Sequence, residues 1–308
     1  MKTKRNIIID CDPGVDDAIA LMYAIKSEAF NIKLITSTGG NSPIENITSN
    51  AIHLLELFES EIPVSAGSRT PLNRPATHAT KEQGKNGLGN YAYNKKKLHH
   101  TPISEEACDA IYNVLKSSKS KTTIISTGPM TNLAKMLLKY PDSKNFIQEI
   151  VFESGTKEKI HGTPYKSFNA GYDPEATEIV LKSGVKIVMI PMELGHFAYL
   201  DKNDIKLFKN TNKPGKIFAK MFKGYRDYHV NTLGAAVHDV CTIFYLTHPE
   251  YVKTEAAYIE LKYHNTPDGE NFGYIDVNFN NKPNATLCVD LDIDMFKYQL
   301  FEALKKCK

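Results

Sequence analysis

From residue 5 to about residue 191, short runs of β-branched and other apolar residues alternate with segments whose apolar positions recur every three or four residues. That alternation predicts βα units around a largely parallel sheet, because a strand buried on both faces is continuously apolar while a helix buries one stripe. Strands are expected at 5–10, 32–38, 62–66, 121–127, 149–153 and 185–191, and helices at about 16–27, 43–58, 104–118, 130–140 and 173–183. The last of these helices begins DPEA, which places Asp173 to cap and Pro174 at the first helical position. Farther on, helical regions near 214–231 and 236–246 precede strand-like runs at 254–263, 273–279 and 285–291, and IDMFKYQLFEALKK reads as an amphipathic closing helix.

The periodicity fails between Ser68 and Thr101. An irregular stretch of that length is usually a functional lid or disordered, so about 68–103 is expected to be a lid loop. Neither a repeat nor a linker composition divides the chain, and residues 1–308 are expected to form one α/β domain with a mainly parallel, mixed sheet flanked by helices.

Composition then narrows the partners. The 38 basic and 35 acidic residues leave a net charge of +3, and Lys95, Lys96 and Lys97 read as a solvated loop, so neither a nucleic-acid nor a membrane partner is expected. The 5 cysteines are odd in number and contain no C-x-x-C pair, which suits reduced thiols in the cytoplasm. At the start, MKTKRNIIID offers too short an apolar run for a signal peptide or a membrane span.

The stretch IIIDCDPGVDDAIAL (7–21) sets the chemical question, since Asp10, Asp12, Asp16 and Asp17 crowd together at the carboxyl end of a predicted strand. Ligands bind at that edge of open α/β sheets. All-oxygen ligands suit a hard cation such as Ca²⁺ or Mg²⁺ rather than zinc. An EF-hand fails, because Gly14 and Leu21 fall where ligands belong. Complementing a helix dipole accounts for one or two aspartates but not four. A D-x-D phosphatase nucleophile at Asp10 and Asp12 ranks second, because it leaves Asp16 and Asp17 without a use.

DCDPGVDDAIAL resembles the signature of the nucleoside hydrolases, calcium-dependent N-ribohydrolases, and STGGN (37–41), STGPMTN (126–132), FN followed by DPEA (168–176) and AVHD (236–239) follow in that family's order. The resemblance implies hydrolysis of a ribonucleoside to ribose and free base at a Ca²⁺ site formed by Asp12, Asp17, Asp239 and the backbone carbonyl of Thr127. It implies that Asp12 also deprotonates the attacking water, that Asp16, Asn41 and Asn169 hold ribose hydroxyls, and that His238 protonates the departing base. Asp10 is assigned to support behind the metal ligands. A Rossmann-type architecture and a homodimer or homotetramer are implied as well. The physics agrees, since an oxocarbenium-like transition state is stabilised in a negatively lined pocket.

Bland readings stand beside these roles: a packed histidine for His238, a loop position for Asn41, a strand-to-helix turn at Thr127, and core aromatics for Tyr225 and Tyr228, which otherwise stack on the base. The chain also departs from the family pattern. Ser167 stands where a Glu is common, KEKIHGTPYK puts His161 or Thr163 where an Asn is frequent, Gln83 stands where a His is frequent, and Glu153, where Met is usual, is expected to reach the pocket. Together they suggest altered recognition of the sugar 5′ position. The basic stretch 157–166 permits a 5′-phosphate, although an exposed loop is the favoured reading of those lysines. A non-catalytic binder of ribosyl compounds is the rival from a different class.

Overall fold

The computed structural model describes residues 4–159, 161–225, 234–267 and 269–308. Nine strands form one sheet: β1 (Arg5–Cys11), β2 (Phe30–Ser37), β3 (Val64–Ala66), β4 (Thr122–Ser126), β5 (Ile147–Glu153), β6 (Ile187–Ile190), then β9 (Val252–Asn265), β10 (Asn271–Asn278) and β11 (Ala285–Leu291). A separate antiparallel pair joins β7 (Leu200–Asp201) to β8 (Gly234–Ala235). The order across the large sheet is β10-β9-β11-β6-β5-β4-β1-β2-β3. All its pairings are parallel except those of β9, which runs antiparallel to both β10 and β11.

The central strands are buried on both faces, as their continuous apolar runs require. In β1 the side chains alternate between two cores: Ile7 and Ile9 pack on one side of the sheet, and Ile8 packs on the other with Leu34, Ile124 and Ile150. The chain leaves β1 toward β2 and β3 on one side and resumes at β4, β5 and β6 on the other. A crevice therefore opens between the carboxyl ends of β1 and β4, the switch point where such sheets bind ligands.

The sheet and its flanking helices agree with the expected class. The expected helices at 16–27, 43–58, 104–118, 130–140 and 173–183 are found as Val15–Lys26, Ile44–Leu57, Ala107–Ser117, Thr131–Lys139 and Pro174–Leu181. Asp173 caps as expected, its Oδ1 accepting from the Ala176 N–H at 3.0 Å. Of the expected helix at 214–231 the structure shows Lys213–Met221, and the positions from 226 to 231, Tyr228 included, lie outside the described residues. The segment 68–101 carries a short helix, Thr80–Gln83, and a 3-10 turn, Lys95–Lys97. No helix among the described residues is long and apolar enough to cross a membrane.

Candidate active site

β1 ends in Asp10, Cys11 and Asp12, Pro13 and Gly14 turn the chain, and the helix Val15–Lys26 begins with Asp16 and Asp17 in its first turn. This arrangement brings all four carboxylates to the crevice. Oxygens of Asp16, Asp17 and Asp239 lie within 4.8 Å of one another. Asp12 stands outside that triplet but close enough that the Asp17 charge raises its pKa.

Each aspartate has a distinct surrounding. Asp12 Oδ2 accepts from the Asn41 N–H at 2.8 Å, while its buried Oδ1 has no hydrogen-bond partner among the described residues. Asp17 Oδ2 accepts from the Gly14 N–H at 2.9 Å, and Oδ1 accepts from the Thr127 hydroxyl at 2.7 Å. Asp16 Oδ1 accepts from Gln83 Nε2 at 3.0 Å. Asp10 lies deeper and is fully buried, its Oδ1 held by the Thr36 hydroxyl at 2.6 Å and Asn132 Nδ2 at 2.8 Å. Asp10 is engaged by these bonds and does not line the cavity, which leaves the D-x-D phosphatase reading without support.

Burial pushes the Asp10 carboxyl up to about 6. Burial, then the neighbouring Asp16 charge, pushes Asp17 up to about 7. Asp12 and Asp239 are driven well above the ordinary carboxylate range, first by burial and then by adjacent aspartates. Two ionised carboxylates 4.8 Å apart repel by roughly 3 kcal/mol at an effective dielectric of about 20. The cluster therefore calls for protons or a cation. The donors of Asp16, Asp17 and Asp239 are all oxygen, and beside them Asp12 Oδ1 has no partner among the described residues, so the residues fit a hard divalent ion.

Above these groups opens a cavity of about 770 Å³. Asp16, Asn41, Thr127, Asn169, His238 and Asp239 line it, as do Gln83, Glu153, Ser167 and Tyr225. Asn169 Nδ2 donates to the Thr127 carbonyl at 2.9 Å and to Glu153 Oε2 at 3.2 Å. Asn41 Nδ2 donates to the Asp12 carbonyl at 3.0 Å. Both amides thus turn their donors inward. Ser167 is buried with its hydroxyl 2.8 Å from that of Ser154. The Tyr225 ring packs 6.4 Å from that of Phe222.

Four further residues at the site escaped the sequence reading. Asn132 joins Asp10 to the Ser37 carbonyl at 3.0 Å and to the Ser68 N–H at 2.8 Å. His78 lines the cavity with Nδ1 3.0 Å from the Gly40 carbonyl. Tyr172 also lines it, with a buried hydroxyl that has no partner among the described residues. The His196 ring meets the His238 ring edge-on at 4.9 Å. Asn132 lay within the quoted STGPMTN motif, Tyr172 between FN and DPEA, and His78 in the expected lid, whereas His196 carries no signal beyond residue type.

A mainly parallel sheet with carboxylates and amides converging at its switch point has the make-up of an α/β enzyme whose acidic site is compatible with a metal ion. The family model described as inosine-uridine preferring nucleoside hydrolase matches residues 7–298, and the chain belongs to that family. It is accordingly a hydrolase of ribonucleoside N-glycosidic bonds. The chain is 31% identical over 303 residues to the non-specific ribonucleoside hydrolase RihC of Salmonella typhimurium, covering 98% of each chain. Among solved structures it is similar to the purine-preferring ribonucleoside hydrolase from Gardnerella vaginalis, with a TM-score of 0.87, 25% identity and 98% of each chain covered. It is also similar to the plant nucleoside hydrolase PpNRh1, with a TM-score of 0.85 and 25% identity, covering 99% of this chain and 100% of that one.

Proposed function

We propose that the chain cleaves ribonucleosides at a Ca²⁺ site formed by Asp12, Asp17, Asp239 and the Thr127 carbonyl. The observation that carries this reading is the buried carboxylate cluster, of which Asp16 and Asp239 line the cavity while Asp12, its Oδ1 without a protein partner, and Asp17 lie behind them. Bound there, the cation would make a coordinated water easier to deprotonate. Asp12, whose Oδ1 is open, would be the base that takes up that proton. Asp16 holds a sugar hydroxyl, and Asn41 and Asn169, whose donors are already used within the protein, offer carbonyl oxygens to the others. His238 protonates the leaving base, and Tyr225 stacks against it. The negative wall of Asp16, Asp239 and Glu153 stabilises positive charge developing on the sugar.

The test is release of reducing sugar from inosine and uridine with Ca²⁺. Chelator and Asp12→Ala should each abolish it. No release from any ribosyl substrate, with binding intact, would establish a binder in place of an enzyme. The resemblance further supports a homodimer or homotetramer, and the unbridged cysteines suit a reducing cytoplasm. Sedimentation of the purified protein addresses the former.

A further inference from the structure

We propose that Gln83 is a positioning residue through which seating of the 68–101 segment fixes Asp16 and the start of the helix Val15–Lys26. This rests on the sugar-binding role proposed for Asp16. Gln83 is buried at the end of the short helix Thr80–Gln83. Its Oε1 accepts from the Val15 N–H at 2.8 Å, and its Nε2 donates to Asp16 Oδ1 at 3.0 Å. The two partners fix which way the amide points, since a backbone N–H can only donate and an ionised carboxylate can only accept.

A helix start leaves its first N–H groups without partners in the helix itself. Here the residue before the helix is Gly14, which has no side chain to serve them. A Cβ placed on Gly14 would stand 2.8 Å from Gln83 Cδ, so the missing side chain is what admits the amide. The lid segment thus supplies the cap from 68 residues along the chain and, with the same side chain, orients the adjacent carboxylate. Gln83 acts on a substrate through Asp16, because each end of its amide already has a partner on the Asp16 helix.

The segment is seated by other contacts too. Asn50 Nδ2 donates to the Asn86 carbonyl at 2.8 Å, and the Ser42 hydroxyl donates to the Lys85 carbonyl at 3.2 Å. Removing Gln83 should therefore loosen the segment without unfolding the chain. Seating of the segment then helps hold Asp16 in its sugar-facing position, which ties recognition to closure.

The experiment combines Gln83→Ala and Gln83→Glu with an Asp16→Ala background. The readouts are kcat/KM on inosine with Ca²⁺, affinity for an uncleavable C-linked inosine analogue, and tryptic cleavage at the exposed Lys81 and Lys85. Gln83→Ala should lower kcat/KM by about tenfold to a hundredfold, the size expected for a hydrogen bond to a charged group, and should speed cleavage. Gln83→Glu keeps an acceptor for Val15 but sets a carboxylate against Asp16, and should lose at least as much activity. In the Asp16→Ala background, Gln83→Ala should change analogue affinity less than about twofold, as coupled residues do. An equal loss in both backgrounds, or unchanged kcat/KM in Gln83→Ala, would overturn the proposal. If the unaltered protein releases no sugar from any riboside, the hydrolase reading fails instead. The tryptic arm still decides the fate of Gln83, since unchanged cleavage in Gln83→Ala counts against it.

Discussion

A Cβ placed on Gly40 would stand 2.0 Å from Asp12 Oδ2, and one on Gly128 would stand 2.8 Å from Asp12 Oδ1. The Asp12 carboxylate is thus gripped between two glycines whose missing side chains define its position. Gly40→Ala should displace it by about an ångström and lower kcat/KM roughly a hundredfold, since a shift of that size at reacting groups has that effect. Steady-state kinetics with a thermal melt provide the check. A variant with unchanged melting and unchanged kcat/KM would show that the position of Asp12 is not critical.

Thr127 supports the site in a second way, through the 2.7 Å bond from its hydroxyl to Asp17 Oδ1. Thr127→Val keeps the backbone carbonyl and removes only that donor. Groups that orient metal ligands typically affect affinity by 10- to 100-fold. Calcium titration should show a Kd raised by about tenfold, while kcat at saturating calcium stays within about twofold. A fall in kcat alone would place the hydroxyl in the chemical step.

The sheet was legible in the sequence because its central strands are buried on both faces. Runs such as IIID and TTIIS have no other reading within a βα alternation. The pieces that were missed have little to bury. In the helix Lys202–Thr211 only Phe208 is fully packed, and β7 and β8 are two residues each. At the site, Asp12, Asp16 and Asp17 were legible because one turn carries them, and Asp239, Asn41, Thr127 and Asn169 because they sit in short motifs. The grouping within the cluster was not legible. Asp16 stands within 4.8 Å of Asp17 and Asp239 as well as on the cavity wall, and Asp12 lies beside that triplet, an arrangement that spacing along the chain does not give. His196 reaches His238, and Gln83 reaches Asp16, only through packing of elements far apart in the chain.

Burial raises Asp10 from the usual 3.8 to about 6 and Asp17 to about 7, so without a cation these two carboxyls hold more protons in the folded chain than in the unfolded one between about pH 4 and 7. Their contribution to the stability of the metal-free protein therefore falls as pH rises through that window. A divalent cation takes the place of those protons, so its benefit grows over the same range. In chelator the melting temperature should fall from pH 5 to pH 8. Calcium at a hundred times its Kd should restore roughly 5 °C or more at pH 8 and much less at pH 5. A melting temperature that climbs with pH in chelator would mean that the chain itself neutralises the cluster.

The basic stretch 157–166 turns out to be largely neutralised. Lys157 lies 3.6 Å from Glu158, Lys159 lies 3.9 Å from Asp276, and Lys166 pairs with Glu270. Arg74, which also borders the cavity, pairs with Glu175 at 3.0 Å. The cavity wall carries Asp16, Asp239 and Glu153 instead. A 5′-phosphate carries nearly two negative charges at neutral pH, so binding it would require breaking one of these ion pairs while the carboxylates repel it. Each unscreened contact at about 5 Å is worth roughly 3 kcal/mol at an effective dielectric near 20. Inosine 5′-monophosphate should therefore be cleaved with a kcat/KM roughly a thousandfold below that of inosine at equal calcium. Rates within about tenfold of each other would show that Lys166 or Arg74 leaves its acid partner to bind phosphate. Lys166→Ala and Arg74→Ala would then identify which, by abolishing cleavage of the nucleotide while sparing inosine.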